Sequence, residues 1–235
     1  MFKMGKRSKT VKVLATALVS VMAFATPAMA LSSSYINNRP IGNGTVYYSG
    51  MGQSSSGAAQ VNYVEYKPNA DISPIVVYGN KLYGLSNINT IAKYEEGLGK
   101  QVIAAINADF FDTSNGIPIG IVINNGTLMS SNLGYPAVGF KADGTAVIGK
   151  PSANMNLSGS SGSVQIDCFN KDRSLSSIFL LDSDYSKETK LNSAGTNVLL
   201  ERETADPVTA NSTLKLKVLS ITKTSSSTPI ADNQM

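Results

Sequence analysis

Short apolar runs, separated by turns that contain Gly, Asn or Asp, recur along most of the chain. The run at 214–218 alternates strictly, with Leu214, Leu216 and Val218 on one face. A period of two is typical of strands that bury one side. The pattern predicts strands at 61–67, 75–78, 81–85, 102–106, 119–123, 127–129, 137–140, 145–148, 164–166, 178–181, 197–201 and 214–221.

Three dipeptides between these runs predict tight hairpins. Gly79-Asn80, Asn125-Gly126 and Asp143-Gly144 each separate two apolar runs. Asn-Gly and Asp-Gly pairs tolerate the positive φ angles that short hairpin turns require. Two hairpins in succession over 119–148 indicate an antiparallel sheet.

One segment, 87–99, predicts a helix. Its apolar positions recur at spacings of three and four, Asn89 or Thr90 is available as a cap, and Gly97 and Gly99 end it. Together with the strands, this predicts an α+β fold: a mostly antiparallel or mixed β-sheet with at least one helix, in an incomplete domain. The polar segment 223–235 predicts a tail that contains no final helix or strand.

The first thirty residues have the pattern of a secretory signal peptide. Five basic residues precede an apolar run at 13–25, and an Ala-Met-Ala cleavage site ends at residue 30. The alternative is a membrane anchor, but the run is shorter than the roughly 20 residues that a spanning helix needs. We expect a secreted or wall-associated protein with a signal peptide at 1–30, a loosely packed arm at 31–60 and a domain at 61–235.

Composition excludes several classes of protein. The formal charge of +4 comes from the signal segment, because residues 31–235 hold 15 basic and 16 acidic side chains. A basic face for nucleic acid is therefore not expected. The chain has no His, which excludes Ser-His-Asp and Cys-His catalysis, and the single Cys168 excludes an intrachain disulfide.

The segment 104–128 holds the candidate functional residues. Its apolar strand leads into Asn107, whose amide could contact a sugar hydroxyl or a phosphate, or could fix the next turn. Asp109 and Asp112 are candidate catalytic residues, one ionised and one protonated, and the alternative is that both cap turns.

Two aromatic residues and a glycine complete the candidate site. Phe110 and Phe111 face opposite sides of a regular strand, so we expect one to pack inward and the other to wall a cleft. Both packing in the core at a bend is the alternative. Gly120, with Asn115-Gly116, lets the backbone expose N–H groups, as either an anion seat or an ordinary loop.

The run INADFFD, followed by GIPIGIVINNGTL and PAVGFKADGTAVIG, resembles the amino-terminal half of the phosphodiester glycosidase domain family. This is the catalytic domain of N-acetylglucosamine-1-phosphodiester α-N-acetylglucosaminidase, the "uncovering enzyme". The usual family form is Asn-Gly-Gly-Phe-Phe, and this chain has Ala and Asp in place of the two Gly. Weaker similarity continues through FNKDR and NSAGTNVLLE, in family order.

The resemblance implies a secreted glycosidase acting on a glycan-1-phosphodiester. We expect no cofactor and name no metal ligand, and the sequence leaves metal dependence open. Its substrate-contact residues would be Asn107, one of Phe110 and Phe111, and Gly120, with Asp109 in the pocket wall. The Arg-Thr-Ala and Asp-Gly-Gly-Gly-Ser motifs of the family do not occur here. We therefore expect a fragment that is inactive alone. A secreted carbohydrate-binding module is the alternative function.

Overall fold

A computed structural model of the chain describes residues 32–54, 57–172, 177–190 and 193–235. The signal peptide assigned to 1–30 lies outside the described residues. The chain divides into two compact units after Lys67. We call them the N-terminal unit and the C-terminal unit.

The described residues of the N-terminal unit form a three-stranded antiparallel sheet in the order β1-β2-β3. The strands are β1 (Ser32–Gly42), β2 (Thr45–Ser54) and β3 (Gly57–Tyr66). Across the sheet, Tyr48 stacks on Tyr63 with ring centroids 4.6 Å apart. The sequence assigned 31–60 to a loosely packed arm, whereas the structure has ladder-paired strands there, and the predicted boundary at residue 60 falls within β3.

The described residues of the C-terminal unit form one helix and five small two-stranded sheets. Four sheets are antiparallel, and the two-residue pair β10-β11 is parallel. The strands are β4 (Val122–Asn124), β5 (Thr127–Ser130), β6 (Ala137–Phe140), β7 (Ala146–Gly149), β8 (Met155–Gly159), β9 (Gly162–Ile166), β10 (Cys168–Phe169), β11 (Phe179–Leu180), β12 (Gly195–Arg202) and β13 (Leu216–Thr224).

The predicted α+β class is wrong. Strands account for 40% of the described residues and helix for 5%, so the fold is mostly β, in small separate sheets. The helix, α1 (Ile88–Gly97), lies within the predicted segment 87–99. Its N-cap is Asn87, whose side-chain oxygen accepts a hydrogen bond from the Thr90 N–H at 2.9 Å, rather than Asn89 or Thr90. No helix among the described residues is long and apolar enough to cross a membrane.

The hairpins predicted at Asn125-Gly126 and Asp143-Gly144 are confirmed. They join β4 to β5 and β6 to β7. Asn125 and Gly126 have φ angles of 49° and 80°, and Gly144 has φ 80°. Local backbone chemistry therefore decided these two elements.

Two predicted strand regions are not strands. The hairpin predicted around Gly79-Asn80 fails because Leu82 and Tyr83 donate their N–H groups to the carbonyls of Asp184 and Tyr185 instead, each at 2.9 Å. The apolar run 102–106 has no regular secondary structure, and it forms no hydrogen bond to any residue that the structure describes. Its Ile106 side chain is 80% exposed. The run predicted to be buried on both faces is half-buried at Val102 and Ile103 and exposed at 104–106.

Two hydrophobic clusters form the core of the C-terminal unit. The first cluster contains Leu82, Ile117, Val122, Met129, Leu181, Tyr185 and Ile230. The second cluster contains Phe169, Leu200, Val208 and Met235. The segment 223–235, predicted as a polar tail, therefore supplies one side chain to each cluster, and Met235 also exchanges two backbone hydrogen bonds with Leu200.

Candidate functional site

The segment 107–120, which we call the motif loop, reverses direction between residues 112 and 117. Phe111 and Pro118 form an isolated antiparallel bridge. The Asp112 N–H donates to the Ile117 carbonyl and the Ile119 N–H donates to the Phe110 carbonyl, both at 2.9 Å. Residues 109–112 and 117–120 therefore lie side by side, which brings Asp109 next to Gly120.

Asp109 has one carboxylate oxygen fixed by the backbone. Its Oδ2 accepts a hydrogen bond from the Gly120 N–H at 2.7 Å. A Cβ at Gly120 would lie 2.8 Å from Oδ2, so glycine permits this close approach. The other oxygen, Oδ1, accepts no hydrogen bond from the described residues. The structure thus presents an exposed carboxylate with a fixed orientation and one open oxygen.

Asp112 has different partners from Asp109. Its Oδ1 accepts hydrogen bonds from the Ser114 N–H at 2.8 Å and from the Ser114 hydroxyl at 2.6 Å. These bonds hold the pKa of Asp112 below its usual range. Asp143 makes the same pair of bonds to Thr145 in the β6-β7 turn. Asp112 is therefore an ionised turn cap, the alternative left open by the sequence, and its geometry does not suit the protonated member of an acid pair.

The amide and aromatic side chains of the motif loop face solvent. Phe110 is 80% exposed and Phe111 is 44% exposed, so neither ring is in the core. The expectation that one of them packs inward is wrong, because the bridge to Pro118 leaves both rings outside the two clusters. Asn107 is also exposed. Asn107, Asp109 and the two rings are therefore all exposed, within five consecutive residues.

Asn115 and Gly116 anchor the motif loop at its turn. The Asn115 amide nitrogen donates to an oxygen of Asp172, and its side-chain oxygen accepts from the Ile117 N–H. The Gly84 N–H donates to the Asn115 carbonyl at 2.6 Å. Gly116 has φ 81° and packs directly on the Gly84 backbone. This contact gives Gly116 a structural role rather than that of an anion seat.

Lys171 supports residues 118–120, the carboxyl-terminal end of the motif loop. It is 2% exposed, and its ammonium donates to the carbonyls of Pro118 at 2.5 Å, Gly120 at 2.8 Å and Ile119 at 3.4 Å. Burial lowers the pKa of Lys171 to about 8, although the nearby charges of Asp109 and Cys168 act in the opposite direction. Three acceptors match the three donors of an ammonium group.

The residue before Lys171, Asn170, is completely buried with φ 50°. Its amide nitrogen donates to the Met129 carbonyl and to Asp182 Oδ1, and its oxygen accepts from the Asp182 N–H. Arg202 donates to Asp182 Oδ2 at 2.8 Å. Burial nevertheless raises the pKa of Asp182. We call Asn170–Asp172 the support tripeptide, because each of its side chains ties another segment to this corner of the fold.

The sequence predicted the motif loop but missed the support tripeptide. FNKDR contributes to the family resemblance only through its order in the chain, which assigns no role to Lys171 or Asp172. The available signal was a charged pair placed directly after a short apolar strand.

Among the described residues, no group of three or more acidic or cysteine side chains could hold a metal ion. A depression of about 420 Å³ lies at the ends of β12 and β13, and no residue of the motif loop lines it.

A solved structure shares this fold. The crystal structure of a hypothetical protein from Synechocystis is similar over 86% of this chain, with 17% sequence identity and a TM-score of 0.62. The match covers 36% of that protein, so the chain spans about a third of its length. Similarity at this level shows the fold alone. No family model and no curated protein matches the chain.

The contact between Gly116 and Gly84 predicts a large cost for Gly116→Ala. A Cβ there would overlap the Gly84 carbonyl oxygen and lie 2.7 Å from its carbon, in addition to the strain of φ 81°. We expect a loss of about 2–4 kcal/mol in urea unfolding. The matched control is Gly126→Ala, which has the same φ but open space, with an expected loss of about 1 kcal/mol. Equal losses would contradict the contact.

The lowered pKa of Lys171 predicts a pH dependence of stability. Between the folded value of about 8 and the unfolded value of 10.5, the unfolded chain binds more protons at this residue than the folded chain. Stability therefore rises with pH in this window, by up to about 3 kcal/mol. Urea unfolding at about pH 7 and about pH 10 should show this gain in the wild type relative to Lys171→Met. The other titrating groups are the same in both proteins, so their contributions cancel in the difference. A difference that is independent of pH would refute it.

Proposed function

We propose that this chain belongs to a secreted phosphodiester glycosidase that hydrolyses GlcNAc-1-phosphodiesters or similar glycan-1-phosphodiesters. The run INADFFD and the runs that follow it resemble the amino-terminal half of that domain family. The signal-like pattern of residues 1–30 supports export to the cell exterior or the cell wall. The binding partner that we propose is this glycan-1-phosphodiester substrate.

The orientation of Asp109 is the observation that carries the proposal. One oxygen is fixed on the Gly120 N–H at 2.7 Å, and the other is open at an exposed surface. Asn107 and the Phe110 ring lie within three residues of it and are also exposed. A carboxylate and an amide can hydrogen-bond the hydroxyl groups of a sugar, and an aromatic face can pack on its apolar C–H side.

The reaction breaks the bond between the anomeric carbon and the bridging phosphate oxygen. The phosphate leaves with the electron pair, and water supplies the new hydroxyl and releases a proton. Because phosphate is a good leaving group, stabilising positive charge at the anomeric carbon matters more than protonating the leaving oxygen. The open oxygen of Asp109 suits that task. Asn107 would contact the substrate, and Phe110 or Phe111 would contact the C–H face of the ring.

Asp109→Asn tests the assignment. It keeps the size of the side chain and removes the charge, so kcat should fall at least about a hundredfold. The assay measures free sugar released by the complete secreted protein from a panel of GlcNAc-1-phosphodiesters. Asp143→Asn is the matched control, because Asp143 caps a turn away from the motif loop, and its rate should stay close to that of the wild type.

The same assay separates the enzyme from a binding module. If the panel shifts the melting temperature but the wild-type protein releases no sugar, the carbohydrate-binding alternative replaces the glycosidase. If the panel neither releases sugar nor shifts the melting temperature, both functions are refuted.

Gly120→Ala gives a second test that leaves the carboxylate in the chain. The new Cβ would lie 2.8 Å from Asp109 Oδ2, so the side chain must rotate away from the Gly120 N–H. We expect kcat to fall about tenfold or more, because the reacting group is displaced, while the melting temperature changes little. Gly149→Ala is the control, since no atom lies within 4 Å of a Cβ there. Full activity in Gly120→Ala would show that the fixed orientation of Asp109 is not needed.

A further inference from the structure

The Lys171 ammonium is buried, and all of its hydrogen-bond acceptors are backbone carbonyls of the motif loop. Its three acceptors are the consecutive carbonyls of Pro118, Ile119 and Gly120. A buried ammonium needs hydrogen-bond acceptors, and all three of these acceptors lie in one short stretch of the motif loop. The side chain therefore fixes the backbone conformation of 118–120.

The two sides of Gly120 connect this cation to the candidate carboxylate. The Gly120 carbonyl accepts from Lys171 at 2.8 Å, and the Gly120 N–H donates to Asp109 Oδ2 at 2.7 Å. Gly120 is buried and has no side chain that could hold it in place. The orientation of its N–H group thus depends on the hydrogen bonds at 118–120.

We propose that Lys171 is a positioning residue for Asp109: its ammonium holds the 118–120 carbonyls and so keeps the Gly120 N–H on the Asp109 carboxylate. This inference rests on the proposed function for its effect on catalysis. Its structural part, the link from Lys171 to Asp109 through Gly120, can be tested without any substrate.

The charged groups around Lys171 make this link sensitive to pH. Asp109 and the Cys168 thiol are the titratable groups that act on its charge, and burial lowers the pKa of Lys171 to about 8. Above that pH the neutral amine has one donor fewer for the three carbonyls. The Gly120 peptide should then lose part of its restraint.

Carbon-detected NMR of the full chain tests the link directly. In the wild type, the Gly120 carbonyl and the Asp109 carboxylate signals should both move with a midpoint near pH 8. In Lys171→Met this movement should be absent, and in Lys141→Met, which removes an exposed lysine, it should persist. Because the wild-type titration needs no variant, a folding defect in Lys171→Met does not remove the test. Signals that do not titrate near pH 8 in the wild type would overturn the proposal.

Steady-state kinetics test the catalytic part. Lys171→Met should lower kcat about tenfold with KM changed less than about twofold, because the effect is on orientation and not on binding. The wild-type rate should fall above about pH 8, and Lys171→Arg, which stays charged, should lose that alkaline limb. An unchanged alkaline limb in Lys171→Arg would overturn the catalytic role. If the wild type releases no sugar, the proposed function fails, and the NMR titration alone decides the link.

Discussion

The buried amide of Asn170 organises the candidate site. Every polar atom of its side chain has a partner, on Met129 or Asp182, and its backbone N–H donates to Leu180. A buried polar group that is fully paired fixes a single conformation, whereas a half-paired one would destabilise the fold. Because Asn tolerates the left-handed conformation at φ 50°, the chain can turn here and direct the next two residues toward the motif loop.

Lys171 and Asp172, the next two residues, hold the motif loop at two places. Lys171 binds carbonyls at 118–120, and Asp172 accepts hydrogen bonds from Asn115 and from the Tyr185 hydroxyl. Burial and the charge of Asp172 raise the pKa of Tyr185, so its hydroxyl remains a donor. The exposed carboxylate of Asp109 is thus supported by residues more than fifty positions away in sequence.

The parts of the structure that local chemistry decides were predictable. Asn125-Gly126 and Asp143-Gly144 need positive φ, and the apolar spacing that predicts the helix at 88–97 lies within the segment itself, although its cap is Asn87 and not a predicted residue. The run 102–106 has the composition of a buried strand, but a strand also needs a pairing partner, and the described residues supply none. The role of Lys171 depends on a contact across about fifty residues, which periodicity and spacing do not encode. The motif loop was therefore found from the sequence, and its support was not.

The contact of Gly116 with Gly84 has a consequence for how the motif loop can respond to a ligand. Gly84 follows Leu82 and Tyr83, which are themselves bonded to Asp184 and Tyr185. A ligand that displaced the loop would have to pull this backbone pairing out of register and disturb the first cluster. A ligand would then bind to a preformed surface. Its selectivity would depend on the existing shape of that surface, with little contribution from movement of the loop around the ligand.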